Sequence, residues 1–220
     1  MRHLTSCQFL GIFLLAASLS SGCANVPMKY RPVLFKDYSE MRSQCDLDKV
    51  RIASGANLSD YQTIVISPVD RLDIRIGDLN HEEKGQVLEH ILKSFRVEMV
   101  KHFSTVTIDP SAVPRGEKAL RLDLAFPEMR ATDVMTNLIV GFGAGNATAT
   151  IEGRLVDMET GEELIAFADR KKGSGFTKKE WEDEGKSWVS ADLKRLKYLF
   201  LFGDTWAENF SRIVASLRKA

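Results

Sequence analysis

Two alternating segments on either side of one glycine constrain the fold of this chain most strongly. Residues 147–157 read ATATIEGRLVD, residues 164–172 read LIAFADRKK, and METGEE lies between them. Alternation of apolar and polar residues predicts β-strands with one buried face. Gly161 supplies the positive φ that a tight bend needs, so the segments predict an antiparallel hairpin. In the first strand the residues predicted to point inward are Ala147, Ala149, Ile151 and Leu155, and those predicted to point outward are Thr148, Thr150, Glu152 and Arg154.

Three further strands and one helix are predicted before the hairpin. Residues 61–69 carry consecutive β-branched side chains, which is typical of a strand covered on both faces. Residues 104–109 and 118–126 predict two more strands, and the second of these alternates strictly. Asn80 and Glu83 have the spacing of a capping box and predict a helix start. The apolar stripe of that helix consists of Leu88, Ile91, Leu92, Phe95, Met99 and Phe103.

Two helices are predicted after the hairpin. Thr177 and Glu180 form another capping-box pair before a helix through about Leu199, which Gly203 is predicted to break. Asp204 is then predicted to cap a last helix. The element order predicts an α+β fold: a two-layer sandwich with a mixed sheet of about five strands and helices on one face, preceded by a signal peptide and an extended arm.

The N-terminal residues predict export and lipid attachment. Residues 9–19 form a short apolar run, too short to span a hydrocarbon layer of about 30 Å as a helix. The following Ser21-Gly22-Cys23 resembles the lipobox of bacterial lipoproteins, in which the cysteine sulfur is acylated before cleavage. The resemblance implies a mature chain that starts at Cys23, acylated on sulfur and amine and held in the membrane by these chains. Ala24, in place of the aspartate that retains lipoproteins in the inner membrane, implies the outer membrane.

These observations divide the chain into three parts. Residues 1–22 are predicted to be a lipoprotein signal peptide, residues 23–58 a lipid-anchored tether and arm, and residues 59–220 a single α+β domain. Pro27 and Pro32 discourage helix in the tether. Cys45 is the one thiol left after cleavage and acylation, and in the oxidising periplasm it is either buried or paired with another chain.

The charge balance excludes one class of partner. Lysine and arginine together number 30, as do aspartate and glutamate, so the formal net charge is zero. Nucleic-acid binding normally requires a basic face that neutralises phosphates, and zero net charge argues against it.

The segment IVGFGAGN, residues 139–146, places three alternate glycines after an apolar run. A phosphate-binding glycine loop follows a strand and opens a helix, whereas this segment enters an alternating strand. We therefore predict a bend or a close backbone approach at the glycines. The apolar side chains before and within the segment are also candidates for contact with a partner or the membrane: Leu138, Ile139, Val140 and Phe142.

No catalytic, cofactor-binding or metal site is predicted. His81, His90 and His102 are nine and twelve residues apart, whereas two ligands of one metal on a helix are typically four apart, so we interpret them as solvated histidines. The aspartates beside the hairpin, Asp157 and Asp169, are predicted to bond local backbone amides. No G-x-S-x-G motif occurs, and no base partner is assigned to Cys45. The tryptophans, Trp181, Trp188 and Trp206, predict core packing or, alternatively, a binding platform.

Four segments of the chain resemble a family of Gram-negative lipoproteins, the domain of unknown function numbered thirty-three thirteen. The segments are LFKDYSEM, DYQTIVISPVD, ATIEGRLVDMETGEELIAFADRKKG and GDTWAENF, while residues 193–202 depart from the pattern. The resemblance implies an outer-membrane lipoprotein and carries over no catalytic residues.

Three functions remain open from the sequence. We expect a non-enzymatic lipoprotein on the periplasmic face of the outer membrane that binds another envelope component. A subunit of an oligomeric envelope export assembly is the alternative, and an enzyme acting on an envelope polymer or lipid is a third.

Overall fold

In the computed structural model, one mixed sheet and two helices make up the described part of the chain. The structure describes residues 32–69, 79–131, 147–173 and 189–219, with side chains from Leu196 onward in the last range. The strands are β1 (Arg42–Gln44), β2 (Leu47–Ile52), β3 (Thr63–Ile66), β4 (Thr105–Thr107), β5 (Ala119–Arg130), β6 (Thr148–Asp157) and β7 (Glu163–Lys172). The helices are α1 (His81–Met99) and α2 (Val189–Arg218), and a short 3-10 turn covers Pro110–Ala112.

The sheet has seven strands in the order β1-β2-β7-β6-β5-β3-β4. Strand β3 is parallel to β4 and to β5, and the other neighbours are antiparallel. Helix α1 connects the parallel strands β3 and β4, as a parallel pair requires a crossover. The α+β character and the mixed sheet are therefore as predicted.

The predicted number of about five strands is wrong, because residues 42–52 add two. The five predicted strands are all present, but β1 and β2 form a further hairpin inside the region assigned to the arm. Its turn uses Cys45 and Asp46, at φ 50° and 59°. Hairpin turns of this kind are normally signalled by Asn-Gly or Asp-Gly, so the sequence carried no turn signal here. Gly161, at φ 73°, does supply the predicted bend between β6 and β7.

Helix α1 begins as predicted. The Asn80 side chain accepts a hydrogen bond from the Glu83 backbone N–H at 2.9 Å, and the Glu83 carboxylate accepts from the Asn80 N–H at 2.8 Å. This capping box satisfies two of the N–H groups that a helix start leaves unpaired. Of the predicted apolar stripe, Leu92 is partly buried and the other five residues are buried.

Both helices contact the same face of the sheet, which we call the first face. The Phe167 ring of β7 lies 6.4 Å from the Phe95 ring of α1 and 4.8 Å from the Phe210 ring of α2. Gly153 leaves room for this cluster, since a Cβ there would lie 2.2 Å from the Phe167 ring. Burying each such aromatic side chain contributes roughly 1.5–3 kcal/mol, so this layer contains the main source of stability.

The predicted break at Gly203 is wrong, because α2 continues through it to Arg218. A Cβ on Gly203 would lie 2.7 Å from Cγ1 of Ile91, so the glycine permits the two helices to approach closely. Asp204 therefore lies inside a helix and does not cap one. The predicted helix start at Thr177 and Glu180 lies outside the described residues. Within the described residues, no helix combines the length and apolar character that crossing a membrane requires.

The opposite face of the sheet, which we call the second face, carries the residues predicted to point outward. The side chains of β6 alternate between the two faces as predicted, but those on the second face are less exposed to solvent than predicted. Glu152 and Thr150 are only 0% and 2% exposed. A half-buried sheet would leave such side chains in water, so other parts of the chain cover this face.

Candidate functional site

The residues that the sequence singled out as sites lie outside the described part of the chain. These are the acylation candidate Cys23 and the contact candidates Leu138, Ile139, Val140 and Phe142. The acylation and the contact remain predictions. What the structure adds is the way in which the chain between Cys23 and the sheet is held.

A single buried carboxylate holds the segment of residues 32–41, which we call the docked segment. The Glu152 carboxylate accepts hydrogen bonds from the Val33 N–H at 2.8 Å and the Leu34 N–H at 2.7 Å. It also accepts one from the Tyr38 hydroxyl at 2.5 Å. Three donors from one short segment thus converge on one side chain of the second face.

Small residues on both sides of Glu152 make room for the docked segment. In the sheet register, Glu152 lies between Ala125 of β5 and Ala168 of β7, and all three belong to the second face. Alanine leaves little side-chain volume above the sheet, so a backbone can approach it closely. The two alanines therefore leave space above the sheet on both sides of the Glu152 carboxylate.

The surroundings of the Tyr38 hydroxyl favour its protonated form in this contact. Burial raises the pKa of Tyr38, and the hydrogen bond to Glu152 and the carboxylate charge raise it further. The phenol therefore keeps its proton at physiological pH. Hydrogen bonds to an ionised group contribute about 1.5–3 kcal/mol each, more than neutral ones.

Other carboxylates on the second face pair with arginines. Glu128 contacts Arg170 at 3.1 Å, and the two side chains are 3% and 9% exposed. Asp123 accepts hydrogen bonds from Ser67, Arg121 and Arg154. Burial alone would raise the pKa of Asp123, but these donors hold it below its usual value. The second face is therefore polar yet largely internally paired.

On the first face, the carboxylate of Asp169 is buried and only 1% exposed. It accepts hydrogen bonds from the Trp206 indole N–H at 2.8 Å and the Asp48 N–H at 3.0 Å. Lys171 forms an ion pair with it at 3.0 Å. Burial raises the pKa of Asp169 above its ordinary value. The predicted role for Asp169, bonding local turn amides, is wrong, because it lies in β7 and joins the sheet to α2.

The same prediction is confirmed for Asp157. Its carboxylate accepts from the backbone N–H groups of Glu159 and Thr160 in the turn, at 2.7 and 2.8 Å. It also accepts from the Tyr61 hydroxyl at 2.5 Å. Burial would raise the pKa of Asp157, but these donors hold it below the ordinary value.

A cavity of about 300 Å³ lies between the helices and includes His90, Ser94 and Asp204 in its lining. The residue types are those of a nucleophilic triad, but the hydrogen bonds are in the wrong order. Ser94 donates to Asp204 at 2.5 Å, and His90 contacts the same carboxylate oxygen at 3.0 Å. A nucleophilic serine requires the histidine as its base, with the carboxylate behind the histidine. This arrangement therefore links α1 to α2 and does not activate the serine.

His81 is exposed as predicted, whereas His90 and His102 are less solvated than predicted. His90 pairs with Asp204 and stacks near Phe200, with ring centroids 4.6 Å apart. His102 contacts the Ser211 hydroxyl at 2.7 Å, and burial, together with the charge of Arg218, lowers its pKa. Within the described ranges, no group of three or more His, Cys, Asp or Glu side chains is placed to hold a metal ion.

The remaining candidates are the tryptophans and Cys45, and those in the described part of the chain pack against the core. Trp206 is fully buried, which confirms the core prediction for this tryptophan, whereas Trp181 and Trp188 lie outside the described residues. Cys45 is a free thiol, partly buried against the core at the turn between β1 and β2.

The pairing of Glu152 with Tyr38 was not predicted from the sequence. Alternation placed Glu152 on the second face, but its partners come from more than a hundred residues earlier in the chain. No local pattern reports such a contact. The one available signal was an acidic residue in a strand whose neighbours are mostly small or apolar.

Comparisons with known proteins assign no family. No family model matches the chain, and no curated protein matches it. Among solved structures, the chain is similar to a PelC dodecamer from Paraburkholderia phytofirmans, with 14% identity and a TM-score of 0.40 over 59% of this chain and 85% of that one. It is similar to a protein from Xanthomonas campestris, with 9% identity and a TM-score of 0.40 over 74% and 90% of the two chains. It is also similar to a predicted lipoprotein from Caulobacter crescentus, with 11% identity and a TM-score of 0.36 over 67% and 92%.

Proposed function

We propose that this protein is a non-enzymatic lipoprotein, attached through acylated Cys23 to the periplasmic face of the outer membrane, where it binds another envelope component. The observation that carries the proposal is the apolar run of residues 9–19 followed by Ser21-Gly22-Cys23. A thiol at this position after small residues is what lipoprotein acylation requires. The folded part is an α+β domain of the two-layer sandwich type.

The proposed anchor fits the start of the described domain. The docked segment follows Cys23 after a short stretch and is fixed to the second face by Glu152. The acyl chains and the sheet are thus joined by a tether of defined length. Such a tether suits a protein that works close to a membrane surface.

The hydrogen bonds within the polar clusters support a binding role. The carboxylates of Glu152, Asp157 and Asp169 are each occupied by hydrogen bonds from the protein itself. The serine of the cavity between the helices faces a carboxylate and lacks the histidine contact of a nucleophile. We place the partner contact at Leu138, Ile139, Val140 and Phe142, the apolar run beside the glycine segment.

Membrane fractionation tests the anchor. We expect Cys23→Ser to move the protein from the outer-membrane fraction to the soluble periplasmic or unprocessed fraction. The matched control is Cys45→Ser, which changes the other cysteine downstream of residues 1–22 and should leave the protein with the membrane. Recovery of processed Cys23→Ser protein in the outer-membrane fraction would overturn the proposal.

Photo-crosslinking in intact cells tests the contact. A photoreactive residue in place of Phe142 should capture one defined envelope neighbour. The control position is Val97, which is 52% exposed on α1. Capture of the same neighbour from both positions, or no capture from position 142, would count against the predicted contact.

A further inference from the structure

Glu152 lies at the centre of the second face. Strand β6 is the fourth of seven in the sheet order, and Glu152 is near the middle of its ten residues. The docked segment therefore reaches the sheet at its middle rather than at an edge. Val33, the first residue held by Glu152, follows Cys23 by ten residues. Ten residues span at most about 33–36 Å when fully extended.

We propose that Glu152 is a positioning residue for the anchor: it fixes the anchoring segment at the centre of the second face and so keeps the helix layer away from the membrane that holds Cys23. This inference rests on the proposed function, because it requires acylated Cys23. It adds an orientation for the domain and the residues that set that orientation.

The length of the tether decides which layer lies next to the membrane. A compact domain of this size has a radius of about 20 Å. If the helices rested on the membrane, the centre of the second face would lie on the far side of the domain. A tether from that point would follow a quarter of the domain's circumference and then descend one radius to the membrane, a path of about 50 Å. The docked tether is shorter than this path. The helices are therefore held away from the membrane while Glu152 keeps its contacts.

Release from Glu152 removes this restriction. The next fixed point is the start of β1 at Arg42, nineteen residues after Cys23. A tether of that length reaches about 63–68 Å and permits either layer to approach the membrane. The backbone and Tyr38 contacts of the docked segment with Glu152 thus determine whether the helix layer can approach the membrane.

Amide hydrogen exchange tests the contact itself on the full-length acylated protein. The Val33 and Leu34 N–H groups are bonded to Glu152, so they should be protected from exchange. Tyr38→Phe should raise their exchange rates about tenfold to a hundredfold, the factor for loss of one hydrogen bond to a charged group. The matched control is Tyr61→Phe, which removes the same type of bond from Asp157. Unchanged protection in Tyr38→Phe, or equal loss in both variants, would overturn the contact as the fixing point.

Energy transfer to labelled lipid tests the orientation. The acylated protein carries Cys45→Ser, so that a donor dye can be attached to a single new cysteine, either Arg130→Cys or Val97→Cys. It is bound to vesicles whose lipid headgroups carry an acceptor dye. Arg130 is 51% exposed on the second face, and Val97 is 52% exposed on α1. We expect clearly greater transfer from position 130 than from position 97, and loss of this difference in Glu152→Ala.

The outcomes separate the two proposals. Equal transfer from both positions with Glu152 intact, or an unchanged difference in folded Glu152→Ala, would overturn the orientation and leave the lipid anchor standing. Protein that does not attach to vesicles would overturn the anchor and the orientation together. A thermal melt of Glu152→Ala shows whether the domain is folded.

Discussion

Glu152 and Asp169 are buried carboxylates on opposite faces of the sheet, and each holds a different part of the chain. Asp169 on the first face is bonded by the Trp206 indole and joins the sheet to α2 within the aromatic core. Glu152 on the second face is bonded by backbone and phenol groups of one short segment. The first contact is part of the aromatic core, whereas we expect the segment held by the second to detach without opening that core. Burial alone therefore does not identify what a carboxylate stabilises.

The largest expected effect comes from the first face. Trp206→Ala removes a fully buried side chain and should lower the free energy of unfolding by about 3–5 kcal/mol. Chemical denaturation measures this value. The Val33 and Leu34 amides should keep their protection under conditions in which the variant is still folded. Loss of this protection from exchange in a folded variant would show that the two faces are coupled.

Gly153 gives the next largest effect. Gly153→Ala places a Cβ 2.2 Å from the Phe167 ring, which must shift within the packed core. We expect a loss of about 1–3 kcal/mol in the free energy of unfolding. Gly161→Ala at φ 73° is the control, because its Cβ meets no neighbour and its cost of about 1 kcal/mol is due to backbone strain. An equal or smaller effect at Gly153 would contradict the close packing.

The pH dependence of stability should have opposite signs for two aspartates. Asp169 has a pKa raised above 3.8 in the folded state, so its contribution to stability falls as the pH rises through this range. Asp157 has a lowered pKa, so its contribution is present above about pH 3.8 and is lost as the pH falls further. Denaturation midpoints between pH 2 and 7 measure both effects.

The two asparagine variants separate these contributions. Asp157→Asn should lose stability near neutral pH and resemble the wild type below its lowered pKa. Asp169→Asn should reduce the fall in stability as the pH rises. The same sign of pH dependence for both substitutions would contradict the assigned environments.

The smallest effect on global stability is expected on the second face. Tyr38→Phe should change the melting temperature of the domain little, since it frees only the docked segment. Tyr61→Phe removes a hydrogen bond to a charged group beside the core and should cost about 1.5–3 kcal/mol. Thermal melts of the two variants compare them directly. A larger shift for Tyr38→Phe would reverse the roles assigned to the two faces.

Local signals explain which elements could be predicted. The hairpin of β6 and β7, and the start of α1, follow from alternation, a turn glycine and a capping box within a few residues of each other. The hairpin of β1 and β2 was missed because two non-glycine residues adopt positive φ in its turn. Gly203 was misassigned because a glycine that breaks a helix and one that lets two helices approach look alike in sequence.

The candidate site was predictable only in part. Cys23 follows from a short motif, but the contact of Glu152 with Leu34 joins residues 118 positions apart. The register that places Glu152 between Ala125 and Ala168 depends on the bulge in β5, between Ala125 and Glu128. Pairing across strands and bulges are set by tertiary packing, which a single sequence does not display.

The mass of the N-terminal peptide of protein purified from membranes tests the proposed lipid anchor directly. We expect a mature chain that begins at Cys23 and carries acyl chains on its sulfur and its amine. A chain that retains residues before Cys23, or that begins at an unmodified cysteine, would contradict it.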